Sequence, residues 1–254
     1  MGYSPKAQLI IIVGNYGSGK TEVSVNLAAN LRQQGKRVTI ADLDIVNPYF
    51  RCREARELME NMGIRVVIPP GAQQFADLPI VVPEIRGMLE PKDDEISLFD
   101  VGGDDVGATL LSSFVESLGQ NPYSLLQVIN SRRPFTNTVE GCIKMKNSIE
   151  RASRLRVGGL IVNSHLADET TPEVVAEGLG IAREVSVKTG VPVEFVSVLS
   201  DLANTPEIKD LDAEILEIKR IMLPPWLRFG QKSDSSVMET NDVPAGRVRP
   251  IFRP

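Results

Sequence analysis

Residues 9–21 read LIIIVGNYGSGKT, and this stretch decides the fold. An apolar run over 9–13 leads directly into a sequence that satisfies G-x-x-x-x-G-K-[ST], formed by Gly14, Asn15, Tyr16, Gly17, Ser18, Gly19, Lys20 and Thr21. Beyond it, Val23, Leu27 and Leu31 recur at helical spacing. The stretch therefore predicts a β-strand, a phosphate-binding loop and an amphipathic helix in that order.

A loop of this composition is suited to a polyphosphate. Its glycines let the backbone wrap with the N–H groups pointing inward, and the start of the following helix adds partial positive charge. Lys20 would reach the β- and γ-phosphates, and the Thr21 hydroxyl would occupy one coordination position of Mg²⁺. All eight loop residues are candidate nucleotide-binding residues, Lys20 is also a candidate catalytic residue, and Thr21 is a candidate metal ligand.

Short apolar runs alternate with stretches of helical period along the chain. The predicted strands span residues 8–13, 37–43, 65–68, 95–101, 124–129, 157–162 and 193–198. Strands that are almost wholly apolar, separated by amphipathic helices, are typical of a parallel sheet covered on both faces. We expect an α/β fold with a doubly wound, mostly parallel sheet and helices on both faces, over residues 1–229. Residues 230–254 are polar and rich in Pro and Gly, which predicts a poorly ordered tail.

Composition excludes several classes of function. The 28 basic and 33 acidic residues give a net charge of −5, which predicts no general nucleic-acid binding. Two cysteines and one histidine exclude a disulfide scaffold and a Cys/His zinc finger. The apolar run over 9–13 is too short to span a membrane. With no pattern of a secretory signal, we expect no membrane span and a cytoplasmic protein.

Two segments of the chain resemble the MinD/ParA/nitrogenase-iron-protein class of P-loop NTPases. Residues 10–44 read IIIVGNYGSGKTEVSVNLAANLRQQGKRVTIADLD and end in Asp42-Leu43-Asp44, similar to the Asp-x-Asp of that class. Residues 99–104 read FDVGGD, similar to its Asp-x-x-Gly-Asp switch segment. The resemblance implies Mg²⁺-dependent binding and hydrolysis of ATP. It also implies that Asp44 orients or deprotonates the attacking water, with Asp42 nearer the metal.

The second segment also has a physical interpretation of its own. A carboxylate at the C-terminal end of a parallel strand beside the phosphate loop lies where open α/β sheets bind ligands. Asp100 could hold a water on Mg²⁺ there, and Gly103 could donate its backbone N–H to the γ-phosphate. A segment held in this way is sensitive to hydrolysis.

The chain departs from the family at two places. Many members carry a signature lysine after the first glycine of the loop, where this chain has Asn15, so a homodimer coupled through that lysine is in question. Arg51, Arg53 and Arg56 offer other cations, although a solvated helix face also explains them. The chain has no C-x-x-C and no cysteine near the switch segment, which argues against an Fe–S cluster.

The late strand over 157–162 is followed by Asn163, which resembles the position that reads the nucleotide base in the family. Guanine-specific relatives usually show Asn-Lys-x-Asp, whereas this chain reads NSHL over 163–166, so we favour ATP over GTP. An Asn that ends a strand by bonding its own loop is the alternative. The neighbouring His165 is assigned no role. Arg132 and Arg133 could bind an anionic ligand or could be solvated.

We predict from these features a Mg²⁺- and ATP-dependent switch that regulates or energises an unidentified partner protein. One alternative is an ATP-dependent small-molecule ligase similar to dethiobiotin synthetase. Another is a GTP-dependent metallochaperone, which the scarcity of Cys and His disfavours. A module that binds nucleotide without hydrolysing it is a further alternative.

Overall fold

A computed structural model describes residues 3–43, 55–68, 83–92, 94–102, 105–118 and 121–221. Eight strands lie in these ranges: β1 (Leu9–Gly14), β2 (Arg37–Leu43), β3 (Arg65–Val67), β4 (Glu95–Val101), β5 (Tyr123–Ile129), β6 (Val157–Val162), β7 (Val193–Leu199) and β8 (Ile215–Ile218).

The same ranges contain eight α-helices: α1 (Lys20–Gln33), α2 (Arg56–Asn61), α3 (Pro83–Met88), α4 (Asp105–Leu118), α5 (Val139–Ser153), α6 (Pro172–Thr189), α7 (Ser200–Ala203) and α8 (Pro206–Lys209). A short 3₁₀ turn, Ala167–Glu169, precedes α6. Thr171 is the N-cap of α6, and Pro172 occupies the first turn of the helix.

The strands form one sheet in the order β3-β2-β4-β1-β5-β6-β7-β8. Every pair of neighbours is parallel. The carboxyl ends of parallel strands meet at one edge, where open α/β sheets bind ligands. The carboxyl ends of the central strand β1 and of its neighbours β4 and β5 therefore lie along the same edge.

Both faces of the sheet are buried, because side chains of β1 pack alternately in two separate hydrophobic clusters. Leu9 and Ile11 pack in one cluster, with residues of α4, α5 and α6. Ile10 and Ile12 pack in the other, with residues of α1 and α2. This alternation confirms the predicted doubly wound fold with helices on both faces. Each fully buried aliphatic side chain stabilises the fold by about 1.5–3 kcal/mol.

The structure confirms the seven predicted strands and adds one that was missed. Their ends differ from prediction by no more than one residue. The missed strand β8 reads ILEI, is only four residues long and exposes Glu217 at the edge of the sheet, so its apolar signal is weak. The predicted tail over 230–254 and the boundary at 229 lie outside the described residues.

The helices in the described ranges are all too short or too polar to cross a membrane.

Candidate functional site

The predicted phosphate loop joins β1 to α1 and has the backbone that such a loop requires. Gly17 and Gly19 have φ angles of 73° and 84°, a region that L side chains rarely adopt. A Cβ on Gly14 would lie 2.8 Å from the Ser18 hydroxyl oxygen and 2.9 Å from the Val128 carbonyl oxygen. Glycine is therefore needed at all three positions. The Ser18 N–H donates to the Asn15 carbonyl oxygen at 3.0 Å and closes the turn.

The N-terminus of α1 is built to receive an anion. Gly19 is its N-cap, and no side chain among the described residues caps the helix. Lys20 and Thr21 follow in the first turn and are both buried. Backbone N–H groups at a helix start, together with the helix dipole, favour a phosphate group. The loop, Lys20 and Thr21 thus form one contiguous feature that is suited to binding phosphate.

Asp42 and Asp100 lie beside this feature on adjacent parallel strands. The two residues are direct register partners between β2 and β4, and both side chains are buried. The Ser24 hydroxyl on α1 lies 3.3 Å from Asp100 Oδ1 and 2.8 Å from the Lys20 carbonyl oxygen. Asp100 therefore packs against the N-terminal part of α1. The structure brings together the three predicted metal-site residues, Thr21, Asp42 and Asp100, at one edge of the sheet.

This oxygen-donor set fits Mg²⁺ bound through a nucleotide. Within the described ranges there is no group of three or more His, Cys, Asp or Glu side chains that could hold a metal ion. Mg²⁺ is usually bound by one or two carboxylates, waters and the substrate phosphates, and needs no cage made only of protein. The residues present are sufficient for binding of that kind.

Asn163 contacts the phosphate loop. Its Nδ2 donates to the Ser18 carbonyl oxygen at 2.7 Å, and its Oδ1 accepts from the Ser197 hydroxyl at 2.7 Å. A Cβ on Gly19 would overlap the Asn163 amide nitrogen. Asn163 therefore fixes the loop relative to β6 and β7. Its predicted role in reading the base stays a prediction.

Asn15, which stands where relatives carry the signature lysine, is used within the loop region. Its Nδ2 donates to the Pro134 carbonyl oxygen at 3.1 Å, and its Oδ1 accepts from the Tyr16 N–H at 2.9 Å. The Tyr16 residue is 65% exposed. Asn15 thus ties the phosphate loop to the segment between β5 and α5.

The two arginines of that segment have different partners. Arg132 forms an ion pair with Glu177 on α6. Arg133 instead donates from Nε to the Gly17 carbonyl oxygen at 2.9 Å. From the sequence, either arginine could bind an anionic ligand or be solvated. The Arg-Arg-Pro sequence directly after a predicted strand was the available signal, although it could not distinguish one arginine from the other.

His165, to which sequence analysis gave no role, lies next to the phosphate loop. A Cβ on Gly19 would be 3.3 Å from its Nε2, and its Nδ1 accepts from the Ala167 N–H at 3.3 Å. Burial, together with the charges of Arg133 and Arg220, lowers the pKa of His165 to about 4. The imidazole is therefore neutral at pH 7 and presents its Nε2–H toward the loop.

Several predicted residues lie outside the described residues: Asp44, Arg51, Cys52, Arg53, Gly103 and Asp104. Arg56 pairs with Glu60 at 2.7 Å on the exposed face of α2, which agrees with a solvated helix face. Cys142 is buried, and burial raises the pKa of its thiol to about 12. It is a packing residue.

Comparison with known proteins agrees with this geometry. Residues 9–193 match the family model described as the CobQ/CobB/MinD/ParA nucleotide binding domain. A signal recognition particle protein from Rickettsia conorii is 29% identical over 234 residues, which are 89% of this chain and 46% of that protein. The chain thus spans about half the length of this curated relative.

Two solved structures of FtsY share the fold. FtsY from Thermotoga maritima superposes with a TM-score of 0.53 at 19% identity, over 78% of this chain and 64% of that one. FtsY from Elizabethkingia anophelis, solved in complex with GDP, gives 0.52 at 18% identity, over 78% and 59% of the respective chains. At these identities the likeness concerns the fold alone.

Proposed function

The chain belongs to the CobQ/CobB/MinD/ParA nucleotide binding domain family, and we propose that it is a Mg²⁺-dependent nucleoside triphosphatase that acts as a switch on a partner protein. One observation carries the proposal. Lys20 and Thr21 are buried at the start of α1, and Ser24 one turn later contacts Asp100, which is the register partner of Asp42. This arrangement supports the proposal that phosphate and metal are bound at a single edge of the sheet.

Each of these groups has a defined part in the proposed reaction. Lys20 binds the β- and γ-phosphates, and Thr21 with Asp42 and Asp100 holds Mg²⁺, the acids directly or through water. Bound Mg²⁺ would neutralise charge on the phosphate oxygens. The water oxygen bonds to the γ-phosphorus while the bond from that phosphorus to the β,γ-bridging oxygen breaks, giving a nucleoside diphosphate and inorganic phosphate. We assign the orientation of the water, and acceptance of its proton, to Asp44.

Two observations on the base support different nucleotides. The chain lacks the lysine and the correctly spaced aspartate of the guanine motif after Asn163. The nearest acid, Asp168, is instead paired with Arg220 at 2.5 Å. These facts support ATP. Likeness to an FtsY structure solved in complex with GDP supports GTP instead.

The switch part of the proposal rests on where β2 and β4 end. Each strand carries a buried carboxylate close to its carboxyl end, Asp42 in β2 and Asp100 in β4. In sequence, Asp44 is the first residue after β2 and Gly103 the second residue after β4. A γ-phosphate that contacts Gly103 couples the presence of triphosphate to the chain beyond it. The partner would read that difference between the triphosphate and diphosphate forms.

Titration calorimetry of the full chain with Mg·ATP and Mg·GTP tests the binding part, and phosphate release tests turnover. Lys20→Ala should bind triphosphate about a hundred-fold more weakly, whereas Asp44→Ala should keep binding and lose hydrolysis. Normal turnover by the Asp44 variant would refute the catalytic assignment. Turnover that requires a small carboxylate metabolite would indicate the ligase alternative. Partner capture that is equal with a non-hydrolysable triphosphate analogue and with diphosphate would contradict the switch.

A further inference from the structure

A positively charged side chain from another segment of the chain lies beside the phosphate loop. At the signature position, Asn15 is neutral, and its side chain is already bonded to the Pro134 carbonyl oxygen and the Tyr16 N–H. The Arg133 guanidinium, from the segment between β5 and α5, reaches the same loop and donates from Nε to the Gly17 carbonyl oxygen at 2.9 Å. The loop therefore acquires a positive charge from a residue 116 positions away.

The guanidinium packs closely on the loop. A Cβ built on Gly17 would lie 3.3 Å from Arg133 Nε and 3.5 Å from its Cζ. The segment that carries it is held by its own backbone, since the Arg133 N–H donates to the Asn130 carbonyl oxygen at 3.1 Å. The Thr136 hydroxyl donates to that same oxygen at 2.8 Å. Arg133 is thus fixed by both its main chain and its side chain.

Among the described residues, no acidic side chain pairs with Arg133. Its neighbour Arg132 is paired with Glu177. Within the part of the chain that the structure describes, by contrast, Arg133 has no acidic partner, and its two Nη atoms make no hydrogen bond. A guanidinium stays protonated at any physiological pH, and its paired N–H donors match phosphate oxygens. Two donor nitrogens are therefore available beside the loop.

We propose that Arg133 binds the phosphates of the nucleotide from within the same chain, and so supplies the charge that Asn15 lacks. This inference rests on the proposed function, because it needs a nucleotide in the loop. It makes phosphate binding independent of a lysine from a second copy. It also gives the two adjacent arginines different tasks: Arg132 attaches the segment to α6, and Arg133 contacts the ligand.

His165 offers a measurement of this geometry that needs no nucleotide. The Arg133 charge is one of the causes that lower the pKa of His165, after burial. Since His165 is the only histidine in the chain, its ring signals in a proton NMR titration are unambiguous. Arg133→Ala should raise the pKa of His165, and Arg132→Ala should leave it unchanged.

The deciding experiment compares Arg133→Ala with Arg132→Ala, which is the matched control. Calorimetry measures the binding of the nucleoside tri-, di- and monophosphates that carry the base preferred by the wild type. Arg133→Ala should weaken triphosphate binding by about ten-fold or more, and monophosphate binding much less. Arg132→Ala, which breaks only an exposed pair, should stay within about two-fold of the wild type. Arg133→Lys should recover part of the loss, because it keeps the charge without the paired donors. Higher salt should reduce the difference in triphosphate affinity between Arg133→Ala and the wild type.

Two outcomes would overturn the inference. One is triphosphate affinity of Arg133→Ala equal to that of the wild type. The other is an equal loss for all three nucleotides, which would mean that Arg133 only braces Gly17. If Arg133→Ala fails to fold, Arg133→Lys and Arg133→Gln carry the same comparison, with the neutral glutamine expected to bind triphosphate less tightly. A wild type that binds no nucleotide would refute the proposed function itself, and so is distinguishable from failure of this inference alone.

Discussion

The Asn163 side-chain amide donates to the Ser18 carbonyl oxygen at 2.7 Å, and so joins the end of β6 to the phosphate loop. Both residues are buried, and Asn163 is itself held by the Ser197 hydroxyl on β7. The loop is therefore fixed from the side by two strands in addition to the strand and helix that it connects. Preorganised donors bind an anion at a smaller entropic cost than donors that must first be ordered.

Asn163→Ala should destabilise the fold by about 1–3 kcal/mol, because it leaves the buried Ser18 carbonyl oxygen without its partner. A thermal melt without nucleotide measures this, and the exposed Asn147→Ala, expected within about 0.5 kcal/mol of the wild type, is the control. Binding of ATP and GTP should weaken by the same factor. A loss confined to one base would show that Asn163 reads the base.

Protonation of His165 should make the free energy of unfolding sensitive to acid. Its pKa is lowered to about 4 by burial and by Arg133 and Arg220, below the usual value of 6.5. The unfolded chain therefore binds more protons between pH 6.5 and 4, so the stabilisation is complete above pH 6.5 and is lost as the pH falls through this window. The loss at pH 4 amounts to about 3 kcal/mol.

His165→Asn should flatten the melting temperature of the protein between pH 6.5 and 4 relative to the wild type, since the Asn oxygen can still accept from the Ala167 N–H. The proton NMR titration of the single histidine in the wild type is the direct check. A pKa between 6 and 7 would contradict the burial of the ring against Gly19.

Asp100→Asn should uncouple nucleotide binding from Mg²⁺. The amide keeps the size of the side chain and its contact with Ser24, but it removes the charge that attracts the ion. Triphosphate affinity measured in Mg²⁺ and in excess chelator should differ by about ten-fold or more in the wild type and much less in the variant. The exposed Asp210→Asn is the control and should behave as the wild type does. Full Mg²⁺ dependence in Asp100→Asn would remove this residue from the metal site.

Gly178 and Gly180, two glycines of α6, form a matched pair. A Cβ on Gly178 would overlap the Ser164 side chain, whose hydroxyl accepts from the Ser131 N–H at 3.0 Å. Around Gly180 nothing lies within 4 Å of such a Cβ. Gly178→Ala should therefore lower stability by about 1–3 kcal/mol through overpacking. Gly180→Ala should raise it by about 0.5–1 kcal/mol through helix propensity. Equal effects in chemical denaturation would show that α6 packs differently.

Much of the fold could be predicted because its signals are local. The strand β1 is a continuous apolar run, β2 and β4 are short segments in which four of seven residues are apolar, and the phosphate loop is one uninterrupted segment with its glycines at fixed spacing. The strand β8 was missed because four residues at an edge, one of them an exposed Glu217, carry too little periodicity.

The side-chain contacts of the site could not be predicted in the same way. Asn163 and Ser18 are 145 positions apart, and Arg133 and Gly17 are 116 apart. Their pairing depends on the order of β1, β5 and β6 in the sheet. A pattern can place Asn163 and Arg133 at the carboxyl edge of the sheet, since both follow strands. It does not say that one braces Ser18 while the other contacts Gly17.

The central claim is that the loop between β1 and α1 binds the phosphates of a Mg²⁺-bound purine triphosphate. Titration calorimetry of the wild type and Lys20→Ala tests it most directly, with the exposed Lys144→Ala as control. The wild type should bind Mg·ATP or Mg·GTP, and Lys144→Ala should bind the same nucleotide with the affinity of the wild type. Lys20→Ala should bind that nucleotide about a hundred-fold more weakly. No measurable binding of either triphosphate by the wild type, or unchanged affinity in Lys20→Ala, would contradict the claim.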